Sequence, residues 1–292
     1  MEVWDRKNSR TIKEPILSES IFRWLHESRL GIEVADRLIS KRWFSRLYGW
    51  PRNLPSSANM ISDFSDKYQL DLSEFTNSEW KTFNDFFIRK FKTGARKFSE
   101  DPLDYCSPCE GRLLVAEGNG PFPVKGVELN LTELVQSSSL VKEFEDCHIL
   151  VYRLSPFDYH RFHFSDDGKI LESYEIPGRL TSVHPMSLKV FPRTFLENQR
   201  KVSLQETQRF GRILSVEVGA LCVGRIHSLS APSEFKKGEE NGYFLFGGST
   251  LIQVIKKSAL IIDRDISEKS QSGLECFVRL GERLGQVVES VG

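Results

Sequence analysis

Tyr243-Phe244-Leu245-Phe246-Gly247-Gly248-Ser249-Thr250-Leu251-Ile252-Gln253-Val254-Ile255 sets apolar, strand-like runs on either side of two glycines and two hydroxyl residues. Short apolar runs bounded by turn residues read as β-strands, and the glycines read as a sharp backbone bend between them. Two readings of the bend stand side by side. In one it is a β-hairpin turn, with glycine supplying positive φ and the hydroxyls bonding locally. In the other, Ser249 is a nucleophile for the peptide bond before it, because small neighbours leave the Gly248 carbonyl open and the backbone free to distort.

Punctuated apolar runs of the same kind recur after Pro102, at Gly111–Ala116, Cys147–Leu154, Ile213–Ala220 and Ala259–Ile262. Val127 to Val141 has room for one helix. Upstream the period changes. Ile21, Phe22, Leu25, then Val34, Ala35, Leu38, then Trp43, Phe44, Leu47 recur at three- and four-residue steps, so Pro15 to Trp50 reads as two or three amphipathic helices with a break near Gly31. A further helix is expected over Met60–Tyr68, and another over Thr82–Phe91, capped by Thr82 with Asp85 three residues on. Residues 1–14 are polar and expected to be loosely held. The fold class is therefore α+β: a mostly antiparallel β core in residues 101–292 behind an N-terminal layer of amphipathic helices in residues 1–100.

The helical segment itself has two readings. Its apolar stripe packs on the protein's own core, or its Trp24, Trp43, Tyr48, Trp50 and more distant Trp4, with interspersed arginines, lie against a lipid headgroup layer. Forty basic and forty acidic side chains cancel, so no global field points to nucleic acid. No apolar run approaches the ~20 residues needed to span a bilayer, and a membrane-crossing chain is not expected. The five cysteines form no regular framework and no secretory signal leads the chain, which points to a reducing, cytosolic setting. Cys106-Ser107-Pro108-Cys109 has no second pair to complete a zinc site, so no metal is expected.

A serine nucleophile needs a base, most often an imidazole held by a carboxylate. Two of the six histidines fall in Tyr159-His160-Arg161-Phe162-His163, and Glu110, in a turn before a strand, is a candidate carboxylate. Residues three apart converge in a turn but diverge on a strand, so spacing alone leaves that pair open. A conventional Ser/His hydrolase fits poorly, since no Gly-x-Ser-x-Gly elbow leads into a helix.

Together these residues resemble the phosphatidylserine decarboxylase proenzymes. The resemblance runs from Trp43 to the C-terminus: Trp43-Phe44-Ser45-Arg46-Leu47-Tyr48-Gly49-Trp50, Thr82–Arg89, Ser107-Pro108-x-x-Gly111, Pro156-x-Asp158-Tyr159-His160-Arg161-x-His163, Pro177-Gly178-x-Leu180-x-Ser182-Val183, Val218-Gly219-Ala220-x-x-Val223-Gly224 and Gly248-Ser249-Thr250. The Phe-Gly-Gly-Ser-Thr form is similar to a chlamydia-like prokaryotic branch. The resemblance implies that His163 takes the Ser249 proton and that the chain cuts itself between Gly248 and Ser249. A β chain of residues 1–248 and an α chain of residues 249–292 would result, with Ser249 converted to a pyruvoyl cofactor. That group would form a Schiff base with phosphatidylserine, lose carbon dioxide with help from His160, and release phosphatidylethanolamine. Also implied are a peripheral position on the cytoplasmic face of the cell membrane, contact through the N-terminal helices, and homodimers. Glu110 stands where the family usually has aspartate. An uncleaved, lipid-binding relative is the alternative that this departure leaves open.

Overall fold

The computed structural model describes residues 2–76, 79–118, 122–124, 127–221, 226–228 and 234–288. The strands are β1 (Glu2–Asp5), β2 (Arg10–Lys13), β3 (Asp104–Cys106), β4 (Gly111–Glu117), β5 (Phe122–Val124), β6 (Val127–Leu129), β7 (Cys147–Leu154), β8 (Arg161–His163) and β9 (Gly168–Ile176). They continue as β10 (Arg200–Thr207), β11 (Arg212–Gly219), β12 (Ile226–Ser228), β13 (Glu240–Phe244), β14 (Ser249–Lys256), β15 (Leu260–Ile262), β16 (Cys276–Val278) and β17 (Arg283–Val287). Nine of them form one sheet in the order β2-β1-β16-β4-β7-β14-β11-β10-β9, antiparallel except where β1 runs alongside β16. Two three-stranded sheets, β12-β13-β8 and β15-β17-β3, pack around it.

The centre of the large sheet is covered on both faces, which is why its strands read as mainly apolar runs without a polar face. All eight residues of β7 are buried. Alternation sorts them: Cys147, Ile149 and Val151 join one core, and Leu150, Tyr152 and Leu154 join the other. β14 repeats the division, with Ile252 and Val254 on the first side and Leu251 and Ile255 on the second. This matches the expected α+β class and the four expected strand regions.

The Gly-Gly bend is not a hairpin turn. β13 pairs with β12 and β8 in a small sheet, whereas β14 pairs with β7 and β11 in the large one. Residues 245–248 carry the chain from one sheet into the middle of another, and Gly247 takes φ +142°, a conformation that non-glycine residues avoid. Hairpins are recognised by local turn chemistry, but these strands were assigned by distant partners.

Upstream, α1 (Glu19–Glu27), α2 (Arg29–Val34), a π-turn at Ala35–Ile39 and α3 (Arg42–Gly49) form the expected amphipathic layer, broken at Ser28 and Ser40 rather than at Gly31. Ser28 accepts from Gly31 N and so caps α2. α4 (Met60–Tyr68) is as expected, and α5 (Phe83–Phe87) has the Thr82 cap, whose Oγ1 accepts from Asp85 N at 3.1 Å, but stops four residues early. Val127–Val141 holds a short strand and two one-turn helices instead of one helix.

Residues 2–13 are not loose: β1 and β2 form a hairpin at the edge of the large sheet, with Trp4 opposite Cys276. Trp4 lies half-buried under Lys269 and is not part of the helical face. Ten of the twelve exposed large apolar side chains among the described residues lie between Ile21 and Met60; the others are Leu171 and Ile261. The helical layer therefore presents a concentrated apolar face. Among the described residues no helix is long and apolar enough to cross a membrane.

Candidate active site

Ser249 opens β14, in register between Leu154 of β7 and Gly219 of β11, and is completely buried. Its Oγ lies 3.4 Å from Nδ1 of His160, which is also completely buried. The other ring nitrogen, Nε2, is 2.9 Å from the Ser155 carbonyl oxygen. A carbonyl only accepts, so Nε2 carries the proton and Nδ1 presents a bare lone pair to the serine hydroxyl. The ring stacks on Phe87 with centroids 4.0 Å apart, which fixes its plane. Burial, and after it the charge of Arg89, push the His160 imidazole down to about 3. It is neutral across the physiological range.

Ser155-Pro156-Phe157-Asp158 forms the turn that aims this histidine. Asp158 N donates to the Ser155 carbonyl at 2.9 Å, and the Asp158 carboxylate accepts from Ser155 N at 2.6 Å. The carbonyl thus uses both lone pairs, one on the turn and one on His160. The Asp158 carboxylate is anchored by Arg112.

His163 does not face Ser249 in this structure. Its Nδ1 is 2.9 Å from the Gly238 carbonyl and its Nε2 is 3.3 Å from the Tyr159 hydroxyl. The backbone explains the division of the pair: His163 ends β8, and an odd spacing on an extended chain turns it away from His160. Glu110 reaches neither imidazole. Its Oε2 accepts from Arg96 Nε at 2.5 Å, and Arg96 also binds Glu74 at 2.8 Å. Arg96 thus holds the buried Glu110 carboxylate in an ion pair that also includes Glu74. Burial raises the Glu110 carboxyl despite that arginine.

A cavity of about 290 Å³ opens beside the site, bordered by Gly247 and Gly248 on one side and by Ile21, Phe22 and Leu25 of α1 on the other. Its wall is mainly apolar, with Ser18, Ser155 and Ser182 among the few polar groups. His184 also lines it and caps the helix Pro185–Val190 by accepting from Met186 N at 3.2 Å. His227 stacks on Tyr243. Among the described residues no cluster of His, Cys, Asp or Glu is arranged to hold a metal. Cys106, Cys109, Cys147 and Cys276 are buried and free; Cys222, Val223 and Gly224 lie outside the described residues.

Sequence reading missed Ser155 and Phe87, which hold His160. The Ser-Pro-x-Asp turn carried the available signal, since serine at the first position and proline at the second suit a tight turn.

A buried serine at a glycine bend, an imidazole fixed as hydrogen-bond acceptor and an adjoining apolar cavity form a candidate active site, of a kind suited to chemistry on a carbonyl group. A family profile described as "Phosphatidylserine decarboxylase" matches residues 83–286. Relatives named "Phosphatidylserine decarboxylase proenzyme" include one from Clostridium novyi (strain NT), 39% identical over 98% of this chain and 99% of its own. Another, from Clostridium botulinum (strain Hall), is 38% identical with the same coverage, and one from Clostridium beijerinckii is 36% identical over 99% of both chains. The chain belongs to the phosphatidylserine decarboxylase family.

Proposed function

We propose that the protein decarboxylates phosphatidylserine to phosphatidylethanolamine after cutting itself between Gly248 and Ser249. The observation that carries this is the placement of Ser249 Oγ 3.4 Å from the unprotonated Nδ1 of His160. In the cut, His160 Nδ1 takes the Ser249 hydroxyl proton as Oγ attacks the Gly248 carbonyl carbon. The peptide C–N bond breaks, its nitrogen gains the proton, and an ester links Gly248 to Ser249 Oγ. Loss of the Ser249 α-proton and rupture of its Cβ–Oγ bond release Gly248 as a carboxylate and leave dehydroalanine. Addition of water and departure of ammonia give the pyruvoyl end.

The surroundings of Ser249 suit that group: it is buried, flanked by glycine and bordered by a cavity that a lipid headgroup can enter. A pyruvoyl carbonyl supplies an electron sink for decarboxylating an amino acid bound through its amine. Around it, Phe87 and the cavity wall exclude water, and His160 holds or returns a proton at Nδ1. His163, tied to Gly238 and Tyr159, is assigned to holding the β8 edge.

Membrane contact through the helical layer is part of this reading. Its exposed apolar face is joined by Arg37, Lys41, Arg42, Arg46 and Arg52, with no acidic residue from 37 to 62. Such a surface suits an anionic bilayer, the source of a two-chain substrate. A place on the cytoplasmic face of the cell membrane follows as part of the proposal.

Intact-mass measurement of purified protein tests the cut. Two chains ending and starting at 248/249, with the shorter blocked at its N-terminus, are expected, and Ser249→Ala should remain whole. The pieces should co-elute without denaturant, because β14 is held between β7 and β11 and β16 between β1 and β4. A wild-type chain that stays intact on long incubation would instead favour an uncleaved lipid-binding relative.

A further inference from the structure

We infer that the N-terminal hairpin of β1 and β2 is a clasp that retains the C-terminal piece, residues 249–292, after self-cleavage. This rests on the proposed cut at 248/249 and is independent of which residue serves as its base. The hairpin belongs to the long product, but its grip is on the short one. β1 lies against β16, with Trp4 opposite Cys276 and Asp5 opposite Phe277, and Trp4 N donates to the Glu275 carbonyl at 2.8 Å. In the sheet its other neighbour is β2. Lys269 Nζ sits 4.3 Å from the Trp4 ring centroid, and Asp5 meets Arg279 at 3.5 Å.

Arg6, in the turn after β1, makes the strongest contact. Its Nη2 is 2.7 Å from Asp263 Oδ2, its Nε 2.7 Å from Asp265 Oδ2 and its Nη1 3.3 Å from Glu282 Oε1, and it also donates to the Arg283 carbonyl. Among the described residues every acceptor of this guanidinium comes from the short product. The foot of the clasp stands in the long product. Glu14 directly follows β2, is buried, and places its Oε2 2.6 Å from Nη2 of Arg153 in β7. The same Nη2 is 2.8 Å from Glu275 Oε2, so one arginine of the long product joins the hairpin to the short product.

The cut changes what these contacts do. While the Gly248-Ser249 bond is whole, the C-terminal segment stays at a high effective concentration, and a strand that opens pairs again. Once it is broken, contact alone keeps the two pieces together. β14 is held between β7 and β11, but the far half of the short product depends on β16, which β4 pairs over Cys276–Val278 only. Without β1, that three-residue strand would become an edge, and Asp265 and Glu282 would lose the cation that pairs them. Peeling from β16 toward β14 would carry position 249 out of the sheet. A piece that bears the reacting group must stay, so retention is a condition of activity.

Arg6→Met tests the clasp in the mature protein, with both pieces present. The protein is held in dilute urea, and the short piece that remains with the long one is measured over time by gel filtration and intact mass, beside decarboxylation of phosphatidylserine in detergent micelles. The cut itself should proceed at the parent rate. Release of the short piece should be about tenfold faster, as expected when one partner of a partly buried charge cluster is removed, and activity should fall in step with release. Local packing alone would lower the melting temperature but leave the pieces together, so co-elution is the deciding readout. Release within about threefold of the parent, or activity lost while the pieces still co-elute, overturns the proposal. Asp265→Asn attacks the same contact from the short piece. Added to Arg6→Met it should speed release no further, and independent effects of the two would overturn the pairing as the cause. If Arg6→Met does not fold, Asp265→Asn decides alone: faster release supports the clasp and an unchanged rate refutes it. A wild-type chain that never cuts overturns the reading on which the clasp rests, whereas Arg6→Met that cuts normally and keeps both pieces overturns the clasp alone.

Discussion

Maturation should be insensitive to acid over a range where histidine catalysis usually fails. The perturbation is a change from about pH 8 to about pH 5 during self-cleavage. An imidazole at its ordinary value near 6.5 is only about 3% neutral at pH 5, so a cleavage rate that depends on it would fall about thirtyfold. His160 is pushed down to about 3 by burial and by Arg89, and about 99% of it stays neutral at pH 5. The expected rate is therefore flat within about twofold. The assay is cell-free synthesis of the precursor, transfer to buffers across the range, and quantification of the two fragments on denaturing gels. His160→Gln should slow the cut by about 10²- to 10⁴-fold, because an amide N–H replaces the Nε2 donor to Ser155 but no basic nitrogen remains. His163→Asn should leave both rate and profile near those of the parent. A tenfold or greater fall between pH 7 and 5, or cleavage that survives His160→Gln and stops in His163→Asn, would refute the argument and assign the serine proton to His163.

Two further outcomes follow from the geometry. Gly247 sits at φ +142°, so Gly247→Ala in the uncleaved Ser249→Ala background should cost about 1–3 kcal/mol by denaturant titration, while Gly248→Ala should cost little. A β-carbon at 248 would meet only Val183 Cγ2 at 3.8 Å and Leu154 O at 3.9 Å, and equal costs would refute this. Arg42 and Arg46 are exposed on the helical layer. At about 1 kcal/mol per cation near an anionic surface, Arg42→Gln with Arg46→Gln should weaken binding to phosphatidylserine vesicles about thirtyfold at low salt, and an unchanged sedimentation profile would remove the electrostatic part of the membrane reading.

Where burial is two-sided, the sequence speaks directly. The run Cys147–Leu154 predicts β7 to the residue, because six of its eight positions are apolar and all eight are buried between two cores. Thr82 was equally legible, since a cap acts within three residues. The Gly-Gly bend was not, because its local chemistry suits a hairpin and only the distant partners of β13 and β14 separate the two strands. The histidine pair stayed open for a related reason. A motif shows that His160 and His163 are present, but the extended backbone of β8 decides which of them turns toward Ser249, and that backbone is set by β13. Glu14 gave no signal at all: one acidic residue before a proline in a polar stretch becomes a buried ion-pair partner only through tertiary contact.

Under the proposed self-cleavage, the low basicity of His160 fits the position of the Gly248-Ser249 bond. Ser249 lies in the middle of a nine-stranded sheet, paired on both sides, so a precursor that cut prematurely would break a central strand before its neighbours had closed around it. A strongly basic, exposed imidazole would act as soon as the serine came near. One that is buried under Phe87, neutral at all physiological pH values and aimed by the Ser155 carbonyl would, on the proposed reading, act when the surrounding layers are in place. On that reading the same burial that weakens the base would supply its timing. Rate and order of assembly should therefore vary together: changes that loosen the Ser155 turn should delay the cut without altering where it falls.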